Sequence, residues 1–568
     1  TYFNQLAFNN FSSMEIVKGP AGSLYGAGTG GLILIRNVDH WKPGASLEYI
    51  RGSYNTQNLL GSVRFGKEEQ KNQFTFAHQN ADGYRAQSAL RKTNFSWRTE
   101  WKRSERQSLS ASVLYTDLFY ETPGALTLNE MNASRRAARP PAAGFPGAVQ
   151  ARAAIDQKNI TTGITHTYQL SNALSNHTTV FGMFNQIKNA AIRNYERRLE
   201  PGYGGRTVFK WDVLKSEKSI QQMQLVWGAE YQQGNFNTQV FQNRMGNPDT
   251  LQTNDDISNT NAHAFAQVDV HAGKGWQMSM GSSINRTRVL FQRLSSYPIV
   301  QQTRTYQNEW APRITLRKKI IEALHFSATL SRGFSPPTLA EILPSTGIIN
   351  TALEAEYGWN KEASLQYSKR KNNQLLQIDM TAFVFDLNSA MVQRRDASGA
   401  DFFTNAGEVN QKGIETTIQY WAFRKQTWSD IHIRLDHSYH HFTYANFVQG
   451  TRDFSGNKVP SVPTHTLSAL TNLQHQKGYS VQLTYYYCDA IWLNDANTAS
   501  AASYHLLALR LGWKKEWKNR YRLHFYVGGE NLLNTRYSLG NDINAAGGRF
   551  YNAAPERNFY TGIAFQWQ

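Results

Sequence analysis

Cysteine is almost absent from the sequence, since Cys488 is the only one among 568 residues. A single cysteine excludes an internal disulfide framework and any metal site that is built from several thiolates. Long apolar runs are missing as well, because no stretch reaches the roughly 18 consecutive apolar residues that a membrane-spanning helix needs. The mean hydropathy is −0.55, although aromatic residues make up 13% of the chain. A helical membrane protein is therefore excluded.

Acidic residues are in the minority, because 60 Lys and Arg face 42 Asp and Glu, for a formal net charge of +18. The basic residues are spread over the whole chain, with no basic helix and no RNA-binding strand motif among them. We therefore expect no nucleic-acid partner. A diffuse solvated surface accounts for such a charge, and attraction of an anionic ligand or of lipid phosphates is the alternative.

What the sequence does contain is a regular series of short polar segments, spaced roughly 50 residues apart. Alternating apolar and polar residues flank nearly every one. Between Leu376 and Val384, for example, Leu376, Ile378 and Met380 share one face of a strand, and Gln377 shares the other with its polar neighbours. The polar segments are 66–72, 102–106, 171–176, 215–218, 272–275, 317–319, 369–373, 424–426, 475–478 and 514–519. Short turns that alternate with long polar connections are typical of a transmembrane β-barrel.

The number of turns predicts the number of strands. Ten turns divide the chain after residue 40 into eleven hairpins, and hence into 22 strands. The eleven long connections centre near residues 54, 85, 135, 198, 247, 296, 345, 398, 452, 495 and 543. An even, closed barrel leaves no unpaired strand edge in lipid, and a lumen of this width is plugged in outer-membrane transporters. We therefore predict an all-β fold, a 22-stranded antiparallel transmembrane β-barrel over residues 41–568 that follows part of a plug.

A soluble β-sandwich with its apolar face turned inward is the competing fold. The number of strands, their length of about ten residues and the aromatic residues near strand ends favour the barrel instead.

Residues 14–35 differ in style from the rest. They read as a strand over Met14–Lys18, a turn at Gly19-Pro20, a glycine-rich bend over 26–31 and a second strand over Leu32–Ile35. A phosphate-binding loop is the alternative. It is disfavoured because no Gly-Lys-Ser/Thr follows and no helix opens after the glycines.

Several motifs carry a resemblance to a known family. Glu15–Pro20, then Leu24-Tyr25-Gly26 and Gly30-Gly31, closely resemble the end of the plug domain in TonB-dependent outer-membrane receptors. The motif residues are Lys18, Gly19, Pro20, Tyr25, Gly26, Gly30 and Gly31. In the order of the family, further matches follow at 121–127, which resembles a large extracellular loop of the ferric-siderophore and ferric-citrate branch, and at 332–341, 405–415, 530–537 and 557–560. Gly562, Phe565 and Trp567 fit the C-terminal assembly signal of such barrels, with Gln568 added after the last aromatic.

The resemblance implies active uptake of a scarce ligand across the outer membrane of a Gram-negative bacterium. The implied partners are the TonB–ExbB–ExbD complex, the barrel assembly machinery and outer-membrane lipid or lipopolysaccharide, around a monomer. Residues 1–40 would be the C-terminal part of the plug. Because Thr1 begins in mid-pattern, we expect a signal peptide and a TonB box further upstream in a longer precursor.

Arginine and tyrosine mark the predicted ligand contacts, because guanidinium groups match carboxylates and phosphates. The candidates are Arg135, Arg136, Arg193, Tyr195, Arg197, Arg198, Arg206 and Arg332. They suit an anionic ferric chelate. The alternative is that they bind lipopolysaccharide phosphates or pair with Glu196 and Glu200. We expect the seventh and eighth loops, around 333–358 and 387–411, to close over the ligand.

Other functions are weaker readings of the sequence. His437 and His441 share a strand face while His440 points to the other, so a haem or metal role would need an irregular loop. No catalytic arrangement of Ser, His and Asp or of paired carboxylates stands out, so we expect no enzyme, no covalent cofactor and no resident metal. Uptake of haem, cobalamin or an oligosaccharide, and passive diffusion through a porin, stay open as alternatives.

Overall fold

The computed structural model of the protein describes residues 3–26, 28–36, 41–215, 220–343, 350–395, 397, 400–423 and 428–568. Its framework is one closed barrel of antiparallel strands. Residues 3–36, called the inner segment below, contact the lumen side of the barrel wall. Among the described residues, no helix is long and apolar enough to cross a membrane.

The inner segment contains two short 3-10 turns and a two-stranded antiparallel sheet. The sheet is formed by β1 (Ser13–Lys18) and β2 (Gly31–Arg36), and the helical turn α1 (Gly22–Tyr25) lies between them. Both strands predicted from the sequence are therefore present, whereas α1 was not predicted. Gly26 follows α1 with a φ of 77°, and Gly30 and Gly31 lead into β2. The division of the chain into two domains at residue 40 stays a prediction.

The first half of the barrel consists of β3 (Gly44–Gly52), β4 (Gln57–Gly66), β5 (Gln70–Ala81), β6 (Leu90–Ser104), β7 (Gln107–Glu121), β8 (Ala154–Gln169), β9 (Leu174–Ala190), β10 (Asn194–Lys215), β11 (Ile220–Arg244), β12 (Asn247–Ala272), β13 (Trp276–Arg293) and β14 (Gln301–Trp310). The helix α2 (Leu128–Ala133) lies in the connection between β7 and β8.

The second half consists of β15 (Arg313–Ile321), β16 (Leu324–Ser335), β17 (Glu356–Lys371), β18 (Gln374–Arg395), β19 (Asp401–Phe423), β20 (Trp428–Asn446), β23 (His465–His475), β24 (Tyr479–Cys488), β27 (Tyr504–Trp517), β28 (Tyr521–Glu530) and β29 (Asn558–Trp567). The loops add α3 (Leu339–Ile342) and the two-residue strands β21 (Val448–Gln449), β22 (Arg452–Asp453), β25 (Ile491–Trp492) and β26 (Ser500–Ala501).

Two of these segments form a single strand. Both β14 and β15 pair with β13, and only Ala311 and Pro312 separate them. Proline has no N–H to donate to the ladder, which explains an interruption at this point. The barrel therefore has 22 strands, as predicted. It closes where the last strand, β29, pairs with the first, β3.

Most of the predicted turns and loops coincide with connections between strands. One predicted turn is wrong, because Arg317–Lys319 lie inside β15 and the chain turns at 322–323 instead. Two others are not tested, because residues 216–218 and 424–426 lie outside the described residues. The loop predicted around residue 198 is also wrong, because β9 and β10 are joined at 191–193. Strands β10, β11 and β12 have 22, 25 and 26 residues, so they run far beyond the ten or so that cross a bilayer. The parts of these strands that extend beyond the bilayer have a polar sequence, which resembles the sequence of a loop.

The two faces of the wall alternate along each strand. Side chains that contact the inner segment define the lumen face, and their immediate neighbours point outward. The outward face is apolar, with exposed Leu47, Val180, Leu330 and Ile563 distributed around the barrel. The long connections collect at one end of the barrel and the short turns at the other.

Candidate functional site

The second half of the inner segment is attached to strands β15 and β19. The Lys18 ammonium lies 2.5 Å from a carboxylate oxygen of Glu415. Two residues later, the Arg313 guanidinium donates a hydrogen bond of 2.8 Å to the backbone oxygen of Pro20. A charged residue on each of two strands therefore holds the turn that was predicted at Gly19-Pro20.

Arg206 on β10 holds the helical turn α1. Its guanidinium donates one hydrogen bond of 2.7 Å to Glu230 on β11 and another of 2.7 Å to the backbone oxygen of Leu24. The same group lies over the rings of Tyr25 and Phe265, 5.2 and 4.5 Å from their centres. Arg206 was predicted to contact the ligand. The structure places it between the wall and the inner segment, where it binds both.

The first residues of the inner segment are attached to a different part of the barrel wall, namely strands β6 and β7. Asn94 and Thr116 both donate hydrogen bonds to the backbone oxygen of Gln5, at 2.6 and 3.0 Å. The ammonium of Lys92 donates to the backbone oxygen of Leu6 at 2.5 Å. The inner segment thus spans the lumen between two groups of strands.

At the long-loop end, Arg85 joins three connections. Its guanidinium is buried and donates to the backbone oxygens of Ala137 and Gly124 at 3.0 and 2.6 Å, and to the side chain of Asn552 at 3.0 Å. Burial lowers the pKa of Arg85 to about 10, although the charge of nearby Asp542 acts in the opposite direction. The group stays cationic near neutral pH, and so it fixes the second, third and eleventh loops to one another.

Asp495 in the tenth loop likewise connects neighbouring loops to one another. Its buried carboxylate accepts hydrogen bonds from Arg394 at 2.8 Å, Tyr444 at 2.7 Å and Asn544 at 3.1 Å. The side chain of Asn457 in the ninth loop donates to the backbone oxygen of Asp495 at 2.8 Å. Two apolar clusters pack around these polar contacts. The loops at this end therefore form a packed head on the barrel.

A cavity of about 270 Å³ opens between the third, fourth, eighth and eleventh loops. Three arginines line it, Arg139, Arg193 and Arg549, together with Asp401 and Asp542. Much of the remaining lining consists of small residues, namely Gly124, Ala125, Ala153, Ala191, Ala397, Ala400, Ala545 and Ala546. Small side chains leave room for a compact ligand, and the arginines supply donors for its negative charges.

Arg139 is the most buried of the three arginines and is only 6% exposed. Its guanidinium donates to the backbone oxygen of Ala397 in the eighth loop at 3.2 Å. Gly124 lies against the Arg139 side chain with a φ of 69°, and a Cβ atom there would come within 3.0 Å of it. Glycine is therefore required beside Arg139, because it adopts this backbone conformation and leaves the space free.

Arg135 and Arg136, two predicted ligand contacts, connect loops instead. Arg135 donates to the backbone oxygen of Tyr537 at 2.5 Å. Arg136 donates to the backbone oxygen of Tyr84 at 3.0 Å, and its guanidinium lies 5.7 and 6.0 Å from the ring centres of Tyr84 and Tyr54. Both arginines stabilise the packed head, and neither lines the cavity.

Of the candidates at the fourth loop, only Arg193 lines the cavity. Tyr195 and Arg197 lie on the outward face of β10, where the Arg197 guanidinium is 5.9 Å from the ring centre of Tyr195 and 5.3 Å from that of Phe241. Arg197 is therefore separated from the lumen by the barrel wall.

Arg198 lies on the lumen face of the same strand, between two carboxylates. It forms ion pairs with Glu196 and Glu200, the latter at 3.3 Å. This pairing is the predicted alternative to ligand contact for Arg198. Glu200 also accepts a hydrogen bond of 2.7 Å from Asn185 and is almost fully buried.

Arg332 lies on the outward face near the end of β16. It donates to a Glu309 carboxylate oxygen at 2.9 Å and to the backbone oxygen of Trp310 at 2.6 Å. Its neighbour Gly333 points the other way, towards Pro20 of the inner segment. Arg332 thus fixes the end of β14 to β16 from outside. The sequence carries no signal for this contact, because the face on which a residue lies depends on the strand register.

The three histidines of β20 lie in a regular strand rather than in an irregular loop. His437 stacks on His465 of β23, with the nearest ring nitrogens 3.2 Å apart. Among the described residues, no group of three or more His, Cys, Asp or Glu side chains has the geometry to hold a metal ion.

Comparison with known proteins identifies this architecture. A family model described as "TonB dependent receptor-like, beta-barrel" matches residues 37–532, most of the chain. The protein belongs to this family. It is a TonB-dependent receptor barrel of the outer membrane. Outer-membrane barrels have short turns on the periplasmic side and longer loops on the exterior side, and the same orientation is our prediction for this barrel.

Solved structures share the fold of this TonB-dependent receptor at low sequence identity. The ferric citrate transporter FecA in its unliganded form superimposes with a TM-score of 0.82 at 13% identity, over 99% of this chain and 85% of that one. The siderophore receptor PiuA from Acinetobacter baumannii gives 0.78 at 14% identity, over 98% and 86%. The copper transporter OprC gives 0.76 at 15% identity, over 98% and 86%. At such identities the likeness shows the fold alone, and the identity of the ligand depends on the residues of this chain.

Proposed function

We propose that this receptor takes up a compact anionic ferric chelate, of the ferric-citrate or siderophore class, through the cavity between its outer loops. The observation that carries the proposal is the arrangement of Arg139, Arg193 and Arg549 around about 270 Å³ of space. This volume lies just below the usual range of ligand pockets, which runs from about 300 to 1,000 Å³. A small polycarboxylate complex fits such a site better than an extended siderophore.

The charge balance around the cavity supports an anion. Arg549 forms an ion pair with Glu130, and Asp542 interacts electrostatically with Arg85. Arg139 and Arg193 line the cavity as well, so three guanidinium groups meet there with the two carboxylates of Asp401 and Asp542. Carboxylate and phosphate groups accept pairs of hydrogen bonds from guanidinium, so a chelate with several carboxylates gains orientation as well as affinity.

Energy for transport would come from the TonB–ExbB–ExbD complex of the inner membrane, on which the family depends. In this proposal the inner segment is the end of a plug, held to the wall by Lys18 and Arg206. Ligand binding closes the seventh and eighth loops and excludes water. Pulling on the plug then detaches part of it and opens a path. Residues 344–349, 396 and 398–399 of these loops lie outside the described residues.

Binding measurements with the intact, detergent-purified receptor test the proposal. Ferric citrate, a ferric catecholate, a ferric hydroxamate and a cupric salt serve as probes. We expect ferric citrate to bind, and Arg193→Gln and Arg139→Gln each to weaken binding roughly tenfold, as loss of a charged hydrogen bond predicts. Arg244→Gln is the matched control, because Arg244 lies at the exposed end of β11, away from the cavity.

Two results would contradict the proposal. Unchanged affinity in both cavity variants would remove these arginines from the site. Tighter binding of the cupric salt than of every ferric chelate would change the ligand class. Conductance in planar bilayers separates the receptor from a passive porin, since a plugged barrel is nearly silent and a porin conducts steadily.

A further inference from the structure

The outward face of the barrel carries an apolar groove that the transport function does not use. It runs across strands β9 to β13 and has a volume of about 600 Å³. Its outward-facing lining includes Val180, Ala229, Ala264 and Ile284. Alanine at two of these positions lowers the surface between bulkier neighbours, so the lipid-facing wall has an apolar depression.

Two arginines stand at the outer end of this groove. Arg286 lines it, and Arg288 lies two residues further along the same outward face of β13. Both side chains are exposed. No carboxylate within the described part of the chain forms an ion pair with either, in contrast to Arg198 and Arg332. Two uncompensated positive charges therefore meet the membrane at one point.

The depth of these arginines in the membrane follows from the strand itself. Trp276 begins β13 at the periplasmic end and is 41% exposed, as expected of an aromatic residue at the membrane interface. Arg286 lies ten positions further along the strand. At about 3.4 Å per residue and a tilt of about 40°, they cover about 25 Å, the height of the apolar band of such barrels. Arg286 thus lies where the outer hydrocarbon layer meets the headgroups.

We propose that this surface binds one phosphorylated glycolipid of the outer leaflet, with an acyl chain in the groove and a phosphate on Arg286 and Arg288. Guanidinium groups bind phosphate through paired, charge-assisted hydrogen bonds. The groove lies directly below, on the side of the hydrocarbon layer, so one amphiphile reaches both parts. A soluble phosphate compound would use only the arginines and gain nothing from the groove.

Two other grooves on the outward face differ from this one in the charges at their ends. One, of about 580 Å³, ends at Lys361, but Asp386 lies 3.1 Å from its ammonium and balances the charge. The other, of about 500 Å³, ends at Arg51 alone. Of these three grooves, only the one on β9 to β13 has two arginines at its end that lack a carboxylate partner among the described residues.

The test uses the intact receptor, freed of lipid by detergent exchange, and bisphosphorylated hexa-acyl lipid A as the probe. Dephosphorylated lipid A and inorganic phosphate are measured alongside. We expect Arg286→Gln/Arg288→Gln to lower the affinity for lipid A roughly tenfold or more, from the usual effect of two basic residues at an anionic membrane surface. Arg244→Gln/Arg452→Gln removes the same charge from exposed loop hairpins and should leave the affinity unchanged.

Filling the groove provides the second, independent variant. Ala264→Leu keeps both arginines and adds apolar volume at a lipid-facing position. We expect the barrel still to fold, and the change in its gel mobility on heating in detergent verifies this. We expect it also to weaken lipid A binding. Equal affinity of wild type and the double arginine variant would overturn the proposal. So would inorganic phosphate binding as tightly as lipid A, or dephosphorylated lipid A binding as tightly as the phosphorylated form.

Discussion

Arg549 in the eleventh loop holds Glu130 of helix α2 by two parallel hydrogen bonds of 2.7 and 2.8 Å. The same carboxylate completes the capping box of α2, because it accepts from the backbone N–H of Thr127 at 2.9 Å. One carboxylate therefore fixes both the start of a helix and the position of an arginine that lines the cavity. Loop order and ligand contact are linked through this pair.

The pair makes the third loop sensitive to acid. Burial opposes ionisation of Glu130, but hydrogen bonds from Thr127 and the charge of Arg549 outweigh it and lower its pKa. A lowered pKa stabilises the folded loop above the ordinary value of about 4.5, and this contribution is lost as the pH falls through the lower value. We expect the protection of the amides of residues 127–134 against hydrogen exchange, relative to the intrinsic rate at each pH, to fall below pH 4.5. Glu130→Gln should exchange fast already at neutral pH and show no such pH dependence.

Asp495 should control the order of the outer head. Removing one partner of a buried ion pair leaves the other charge uncompensated and costs about 3–5 kcal/mol. We expect Asp495→Ala to open the ninth to eleventh loops locally, seen as protease cleavage at 489–503, while the barrel itself stays folded. Asp249→Ala is the control. Asp249 and Arg244 are both exposed and 4.0 Å apart, so its loss should change nothing measurable. Equal cleavage of both variants would contradict the role of Asp495.

Arg206 should keep the inner segment against the wall. We expect Arg206→Gln to raise single-channel conductance in planar bilayers, because α1 loses its hydrogen bond at Leu24 and its cation–π contact at Tyr25. Arg197→Gln removes the same charge from the outward face of the same strand and should stay silent. Closed channels in both variants would show that Lys18 and the contacts at Gln5 suffice to hold the segment.

Gly562 should be irreplaceable in the last strand. The ring of Tyr526 on β28 lies over it, so a Cβ atom would come within 2.2 Å of that ring. We expect Gly562→Ala to cost about 1–3 kcal/mol by overpacking and to slow assembly of the heat-stable barrel. Gly61→Ala is the control, since its nearest neighbour would be a Leu47 methyl group at 3.9 Å. Equal assembly rates would remove the steric explanation.

The barrel was predictable because turns and alternation are local properties of sequence. Strand number, closure and most connections follow from polar segments that the structure also shows as turns. The failures have local causes too. Arg317–Lys319 belong to the end of β15, where basic side chains reach water from a strand. Residues 194–206 lie in a strand that continues beyond lipid, where the apolar half of the alternation disappears.

The cavity was far less predictable, because partners distant in sequence decide what an arginine does. The sequence around Arg136 does not predict its contacts with Tyr54 and Tyr84, and the sequence around Arg206 does not predict its hydrogen bond to Leu24. Arg193 was predicted and does line the cavity, whereas Arg549 was missed although it lies in a long loop. Its signal would have been the glycine-rich bend just before it, which turns the chain so that the arginine reaches Glu130 of the third loop. Ligand contact by any of these residues stays a prediction.

The pairing of β29 with β3 joins residues more than five hundred positions apart, as in the hydrogen bond between Phe559 and Ser53. Until the final strand is available, β28 and β3 each present a row of backbone donors and acceptors that hydrocarbon cannot satisfy, at several kcal/mol per group. A chain that lacks β29 therefore leaves two unpaired strand edges in the membrane. The topology makes a closed barrel conditional on this one strand, so that a polypeptide without it has no form that the bilayer tolerates.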